Sequence, residues 1–382
     1  MNKYRIAFVV AVPGSAHSFL KNHFERLTVK YDVNLVANFA NEGQKQEFEE
    51  MGVTCHHVPI LRSISIGRDI KALFCLISLF RRERFDSVHS VTPKAGLLTS
   101  VAAWVAGVKI RIHIFTGQVW ATRKGVMRSM LKMMDKIITL FDNHILVDGE
   151  SQRQFLINED VVKEKNSQVL ADGSICGVKL ENFNVSETVR REERAKFSFK
   201  DDDVVFVFMG RLNHDKGIEE LYEAFDRLAK DSPNAKLILY GSDEEGYDAK
   251  AGDYKNIIRQ QNFFYPGHTK KPYDALQGCD VFVLPTWREG FGSSVIEAQA
   301  LGLPVITTDA YGVCDASVEG KTGLRCHVGD ADGLYYCMKT YYNSPELRRE
   351  HGRAGYDRAR ALFDSKRVCD AWSDYYDSIF KQ

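Results

Sequence analysis

Two glutamates on either side of a glycine-rich turn are the residues of this sequence best suited to chemistry. Glu289 and Glu297 bound the segment Glu289-Gly-Phe-Gly-Ser-Ser-Val-Ile-Glu297. A carboxylate pair can act as general acid and base across a glycosidic bond, or it can accept hydrogen bonds from ligand hydroxyl groups. The two residue types alone leave both chemistries open.

A cationic turn earlier in the chain favours one of these chemistries. Arg211 and Lys216 lie in Gly210-Arg-Leu-Asn-His-Asp-Lys-Gly217, between an apolar run and a predicted helix. A helix start attracts anions, arginine offers a planar fork and lysine a point charge, so the pair suits a diphosphate. Neither a Walker loop nor a GxGxxG motif is present. Because hydrolysis needs no diphosphate site, transfer from an activated donor is favoured over glycoside hydrolysis.

Both motifs are predicted to follow buried strands. The short apolar run Val281–Leu284, bounded by Gly278 and Pro285, is typical of a parallel strand covered on both faces. Loops at the carboxyl ends of such strands are where ligands bind in doubly wound sheets. Further strands are predicted at Arg5–Val12, Val33–Ala37, Phe85–Ser90, Ile110–Phe115, His144–Val147, Asp203–Gly210, Ala235–Tyr240 and Val305–Thr308. Helices are predicted at Ser18–Thr28, Ile70–Arg84, Lys94–Ala106, Val126–Leu140, Ile218–Lys230 and Lys366–Phe380.

This alternation predicts an α/β protein with two Rossmann-like domains whose parallel sheets face each other across a cleft. The length of 382 residues also suggests two domains. We place a first domain at 1–175, a second domain at 176–362, and a final helix at 363–382. The charged stretch Asn184–Asp203 is predicted to be a solvated linker or surface helix.

Composition narrows the class of protein. The formal net charge is zero, which argues against a nucleic-acid partner. Eight scattered cysteines without a CxxC pair predict buried thiols in a reducing compartment. The apolar run Ile6–Val12 is too short to cross a bilayer and no signal peptide is evident, so we expect a cytoplasmic protein.

The two motifs together resemble those of the large family-4 group of retaining glycosyltransferases with the GT-B fold, as found in bacterial surface-polysaccharide synthesis. Gly-Arg-x4-Lys-Gly and Glu-x7-Glu carry the resemblance. Smaller agreements occur at Asp172–Val178, Phe264–Gly267 and Gly320–Gly323.

The resemblance implies roles for individual residues. Arg211 and Lys216 would stabilise the departing diphosphate as electrostatic catalysts, Glu289 would hold the transferred sugar and Glu297 the ribose hydroxyls. Glu289 is thereby counted among the catalytic residues. The donor-binding residues implied or inferred are Gly14, Gly210, Arg211, Lys216, Pro266, Gly267, Glu289, Gly290, Phe291, Gly292, Ser293 and Glu297.

The first half carries weaker signals for the acceptor. His17 lies in the loop after the first strand, and the segment Thr116–Gln118 follows the strand that ends at Phe115. Relatives often carry a histidine just before the matching glycine, where this chain has a threonine. The acceptor-site predictions are His17, His113, Thr116, Gly117 and Gln118, although a core position for His113 is favoured.

Two further predictions concern metal and membrane. Asp201-Asp-Asp203 is formally a DxD match, but it precedes a strand in a charged segment and is read as a solvated turn, so no metal and no cofactor are expected. Cations and apolar residues interleave between Arg123 and Met134, as in helices that lie on anionic lipid. A helix with one face in the core explains the same pattern nearly as well.

The motifs and the resemblance together imply a metal-independent retaining hexosyl- or N-acetylhexosaminyltransferase. By the same resemblance, 1–175 would be the acceptor-binding domain, 176–362 the nucleotide-sugar-binding domain, and the helix of 363–382 would pack on the first domain. Its donor is expected to be a nucleotide-diphosphate sugar, foremost a UDP-sugar, and its acceptor a glycan or a polyprenyl-diphosphate-linked sugar. Contact with the inner face of the cell membrane would fit the lipid-linked acceptor. The alternatives are a UDP-sugar epimerase of GT-B fold and an inactive glycan-binding scaffold.

Overall fold

The chain forms two compact α/β units in a computed structural model that describes residues 3–61, 63, 65–247 and 262–381. Unit 1 comprises the residues up to Gly177 together with those from Ser365 onward. Unit 2 is Val178–Asp364. Each unit is built around one parallel sheet, and each sheet has helices on both faces.

Unit 1 has a seven-stranded sheet in the order β3-β2-β1-β4-β5-β6-β7. Its strands are β1 Arg5–Val9, β2 Asp32–Ala37, β3 Thr54–His57, β4 Ser87–Val91, β5 Ile110–Phe115, β6 His144–Val147 and β7 Ser167–Gln168. Its helices are α1 Pro13–Phe19, α2 Lys21–Lys30, α3 Gly43–Glu49, α4 Ile66–Glu83, α5 Pro93–Ala106, α6 Gly125–Phe141 and α7 Glu150–Asn158, with a 3-10 turn at Glu164–Asn166. Local signals set the ends of α5, where Pro93 opens the first turn and Gly107 closes the helix with φ of 77°.

Unit 2 has a six-stranded sheet in the order β10-β9-β8-β11-β12-β13. Its strands are β8 Val204–Met209, β9 Ala235–Tyr240, β10 Phe263–Gly267, β11 Val281–Leu284, β12 Val305–Thr308 and β13 Gly323–Cys326. Its helices are α8 Glu187–Lys196, α9 Ile218–Asp231, α10 Pro272–Gln277, α11 Ser293–Ala300, α12 Val313–Ala316, α13 Ala331–Asn343 and α14 Pro345–Leu362, with 3-10 turns at Leu180–Asn182 and His214–Lys216. The nearly continuous apolar strands β8 and β11 form its centre, because both of their faces are covered.

The last helix of the chain, α15 (Ser365–Phe380), belongs to unit 1. It packs against α2 and buries Trp372 and Tyr376. The Trp372 ring stacks on His89 of β4 with centroids 4.9 Å apart, and the Tyr376 hydroxyl lies 2.6 Å from His89 Nδ1. An apolar helix face thus covers one side of the unit 1 sheet.

Several predicted elements need correction. The first strand ends at Val9 and not at Val12, since Pro13 already opens α1. The helix predicted at Ser18–Thr28 is two helices that meet at Leu20. Phe264–Gly267, which the resemblance to the family places in a loop beside the nucleotide base, belongs to the edge strand β10.

The charged stretch before β8 is more deeply packed than predicted. It forms the helix α8, and Arg194 is buried with its guanidinium bonded to Asp280 and to the Gly278 and Asp203 carbonyl groups. Asp203 is also buried and bonds the Lys200 amide at 2.8 Å. The predicted solvated turn therefore holds for the exposed neighbours of Asp203 only.

Candidate active site

The two chemical motifs of unit 2 leave neighbouring strands. β8 and β11 pair in the sheet, and between them the strand order reverses. Arg211 and Lys216 follow β8, whereas Glu289 follows β11. The carboxyl ends of strands at such a reversal are the usual ligand site of a doubly wound sheet.

A glycine allows the cationic turn to approach the end of β11. Gly217, between the His214–Lys216 turn and α9, has φ of 69°. A Cβ atom placed there would lie 1.9 Å from the carbonyl oxygen of Pro285. Only glycine fits this position, so the turn reaches the loop that carries Glu289.

Lys216 and Glu289 are in contact. The Lys216 ammonium donates to Glu289 Oε1, and the two side chains are only 17% and 16% exposed. Arg211, half exposed, lies 3.0 Å from Glu244 Oε2, and Asn213 Nδ2 donates to the same oxygen at 2.9 Å. The two cations of the motif are therefore balanced by two carboxylates.

Glu297 has a different environment. It lies on α11, is half-buried, and has no hydrogen-bond or ion-pair partner among the residues that the structure describes. Burial raises the pKa of its carboxyl group to about 7. Hydroxyl donors from a ligand would favour the charged carboxylate, which this site otherwise disfavours.

The glycine-rich turn between the two glutamates is held in place by close packing against Gly312 and Phe363. Gly292 precedes α11 with φ of 94°, and a Cβ on Gly312 would lie 2.4 and 2.6 Å from the carbonyl oxygens of Glu289 and Gly290. Phe291 is buried against Phe363, with ring centroids 5.2 Å apart. Its side chain is therefore part of the core of unit 2.

The remaining donor residues of unit 2 lie along the same edge of the sheet. Gly210 donates its amide to Tyr240 at the end of β9, and Gly241 donates to Gly267 at the end of β10. Pro266 is exposed there, and Ser293 is half-buried in the first turn of α11. The structure thus brings Lys216 and Glu289 into contact, and it places the other predicted residues of unit 2 after β8, in β10, after β11 or on α11.

The predicted residues of unit 1 are more dispersed. Gly14 and His17 lie on α1, and His17 Nε2 is 3.2 Å from Glu47 Oε1. The segment Thr116–Gln118 follows β5; Thr116 is half-buried, Gly117 has φ of 113°, and Gln118 is buried and accepts from Gln152 at 3.1 Å.

His113 lies in the core of unit 1. It is 1% exposed, and its Nδ1 lies 2.8 Å from Ser90 Oγ. A Cβ on Gly96 of α5 would lie 2.5 Å from the His113 ring, so the helix closes directly over it. Burial lowers its pKa to about 3, which keeps the imidazole neutral.

Four residues of the site were not predicted from the sequence. Asp215, Thr286, Trp287 and Arg288 connect the cationic turn with the Glu289 loop through side-chain and backbone bonds. Their only sequence signal is that they adjoin the motif residues. Residues so far apart in the chain meet only because β8 and β11 are neighbours.

Within the described residues, no group of three or more His, Cys, Asp or Glu side chains could hold a metal ion. No helix in that part of the chain is long and apolar enough to cross a membrane.

Known proteins resemble the whole chain. A sequence model of the family described as glycosyl transferases group 1 matches residues 189–358. The capsular polysaccharide biosynthesis glycosyltransferase CapM of Staphylococcus aureus is 32% identical over 100% of this chain and 99% of its own. The UDP-Gal:alpha-D-GlcNAc-diphosphoundecaprenol alpha-1,3-galactosyltransferase of Escherichia coli is 26% identical over 81% of each chain.

Among solved structures, Anabaena Alr3699/HepE in complex with UDP-glucose superposes with a TM-score of 0.81 at 16% identity, covering 98% of this chain and 99% of that one. The predicted fold class and enzyme class are confirmed. The chain belongs to the glycosyl transferases group 1 family and is a glycosyltransferase with the GT-B fold.

Proposed function

We propose that this enzyme is a retaining, metal-independent transferase that moves a sugar from a UDP-sugar to a glycan or a polyprenyl-diphosphate-linked acceptor. The observation that carries the proposal is the meeting of Lys216 and Glu289, beside Arg211, at the strand-order reversal of unit 2. The names of the relatives add the acceptor class and a role in bacterial surface polysaccharide. They include diphosphoundecaprenol-dependent galactosyl- and N-acetylgalactosaminyltransferases.

The donor would occupy the carboxyl edge of the unit 2 sheet. Its diphosphate would take Arg211 and Lys216 as partners, and its ribose hydroxyls would donate to Glu297. Released from Lys216, the Glu289 carboxylate would accept from hydroxyls of the transferred sugar. The backbone of residues 290–293 adds amide groups at a helix start, and Pro266 with Gly267 would flank the base.

Transfer by this site needs no protein base. The bond between the anomeric carbon and the β-phosphate oxygen breaks, and the acceptor oxygen bonds to that carbon from the same face. The acceptor proton passes to the departing phosphate, so charge and atoms balance. Lys216 and Arg211 stabilise the negative charge that develops on the leaving group, which is electrostatic catalysis.

Unit 1 would hold the acceptor, with His17 and the segment Thr116–Gln118 as candidate contacts. Its surface also supports contact with the inner face of the membrane. On α6, Val126, Met127, Met130 and Met133 are exposed, with Val126 at 87%. On α4, Ile66, Ile70 and Phe74 are exposed, and both helices pack on α5. Apolar side chains among Lys and Arg suit an anionic lipid surface.

Epimerisation and a scaffold role are not proposed. The relatives described above are named as transferases, and the four charged motif residues are intact.

A screen of nucleotide sugars by thermal unfolding tests the donor. A ligand at 100 times its dissociation constant adds about 2.7 kcal/mol to the free energy of unfolding, so one UDP-sugar should raise the melting temperature clearly. That donor should then transfer its sugar to lipid-linked acceptors with retained configuration, and Lys216→Ala should abolish both effects. Stabilisation by no UDP-sugar, or a product of inverted configuration, would contradict the proposal.

A further inference from the structure

The turn that carries Lys216 and the loop that carries Glu289 are joined by the residues that precede these two. Arg288 Nε and Nη2 lie 3.0 and 2.6 Å from Asp215 Oδ2. The two side chains are only 17% and 18% exposed, so water competes weakly for this ion pair. Asp215 immediately precedes Lys216 in the sequence, and Arg288 immediately precedes Glu289. Each partner of the ion pair is therefore adjacent to a residue of the proposed donor site.

Further hydrogen bonds, most of them to backbone groups, reinforce this connection between the Lys216 turn and the Glu289 loop, which we call the Asp215–Arg288 joint. The Asp215 carbonyl oxygen accepts from the Trp287 amide and from Thr286 Oγ1, each at 2.9 Å. Thr286 Oγ1 also lies 2.9 Å from the Arg288 carbonyl oxygen, and its own carbonyl accepts from Thr308 Oγ1 of β12 at 2.5 Å. The joint is therefore anchored to the central strands of the sheet.

Arg288 is not arranged to bind a ligand itself. Both the Nε and the Nη2 groups of Arg288 donate to Asp215. Arg211 differs, because its side chain is half exposed. On the other side of the loop, Trp287 Nε1 donates to Glu220 at 3.2 Å. Because two nitrogen atoms of the Arg288 guanidinium contact Asp215, the ion pair fixes the relative orientation of the two side chains as well as their separation.

We infer that Asp215 and Arg288 are positioning residues for sugar transfer. Their ion pair sets the separation and orientation of Lys216 and Glu289, so that one donor molecule meets both. This inference rests on the proposed donor site. Misplacement of a catalytic group by about 1 Å can cost about a hundredfold in rate, which makes a rigid joint between two separate loops functionally necessary.

The test uses the full-length enzyme with the UDP-sugar found by the thermal screen. Arg288→Gln and Asp215→Asn should each lower kcat/KM for the donor about tenfold or more, with the acceptor KM unchanged. The double variant should be no worse than either single variant, because both changes break one interaction. Arg288→Lys should recover only part of the loss, since an ammonium group lacks the fork.

Arg190→Gln is the matched control. Arg190 of α8 bonds Asp280 at 2.6 Å and the Cys279 carbonyl at 2.8 Å, at the amino end of β11. Its loss should lower the melting temperature while kcat/KM of the folded enzyme stays within twofold. The positioning role is refuted if Arg288→Gln and Asp215→Asn behave like this control. If Lys216→Ala also retains activity, the proposed donor site itself is wrong; if only the Lys216 variant is inactive, the inference alone fails.

Discussion

Glu297 gives the most quantitative prediction. Its carboxyl group has a pKa of about 7 in the folded protein, compared with 4.5 for an ordinary glutamate. The folded state thus prefers the protonated form. The contribution of this protonated group to the free energy of unfolding is fully present below pH 4.5, falls as the pH rises, and is lost above about pH 7. A difference of about 2.5 pKa units corresponds to about 3 kcal/mol.

Glu297→Gln removes this cost because an amide does not ionise. We expect the variant to match the wild type near pH 4.5 and to exceed it by up to about 3 kcal/mol at pH 8. Urea unfolding at several pH values measures the difference directly. A wild type that is more stable than the variant at pH 8 would refute the reasoning.

Ionisation of Glu297 should lower the stability of the fold but favour the binding of UDP. Ribose hydroxyls that donate to Glu297 favour its carboxylate, so UDP binding at pH 7 should release about half a proton from this residue. Calorimetry in buffers of different ionisation enthalpy measures the release, and subtraction of the Glu297→Gln value isolates it from titration of UDP itself. The variant should bind UDP about tenfold to a hundredfold more weakly, as expected for loss of hydrogen bonds to a charged group. Equal proton release by the two proteins would show that the ribose does not reach Glu297.

Gly312→Ala should disturb the donor site from behind, because its Cβ would collide with the carbonyl oxygens of Glu289–Gly290 at a φ of 82°. The backbone strain alone costs about 1–3 kcal/mol, and Gly320→Ala, at φ of 64° with nothing within 4 Å, is the control for strain without collision. Donor kcat/KM should fall only in the first variant, so equal kinetics would exclude the effect of the collision. Met133→Glu on α6 should reduce co-sedimentation with equimolar phosphatidylglycerol–phosphatidylcholine vesicles, whereas Tyr336→Glu, equally exposed on unit 2, should not; no binding by the wild type would contradict the membrane contact.

The elements with strong local signals were predictable from the sequence. β5, β6, β9, β11 and β12 have the predicted bounds. The signal is clearest for β11, since Val281–Leu284 is an uninterrupted apolar run that is buried along its whole length. The edge strand β3, Thr54–His57, was missed since two adjacent histidines and a threonine give no apolar run. Edge strands of this kind are held by pairing with a neighbour, here β2, and not by their own side chains.

The candidate site, like the fold, has features that could be predicted from the sequence and features that could not. Motif spacing was enough to select Arg211, Lys216, Glu289 and Glu297 as candidates. The contact between Lys216 and Glu289 was not predictable, because it depends on β11 pairing with β8 after the chain has passed through β9 and β10. The Asp215–Arg288 joint depends on the same pairing, and neither residue has a distinctive pattern of its own.

The balanced charges of the cationic turn have a consequence for ionic strength and turnover. Arg211 and Lys216 form ion pairs with Glu244 and Glu289, so a diphosphate at the proposed donor site would enter by exchanging partners with these carboxylates. Donor affinity should therefore depend less on salt than in a site with uncompensated charge. When the spent nucleotide leaves, the two carboxylates can return to their cations. This return offsets part of the electrostatic cost of product release and limits how strongly the product can inhibit the enzyme.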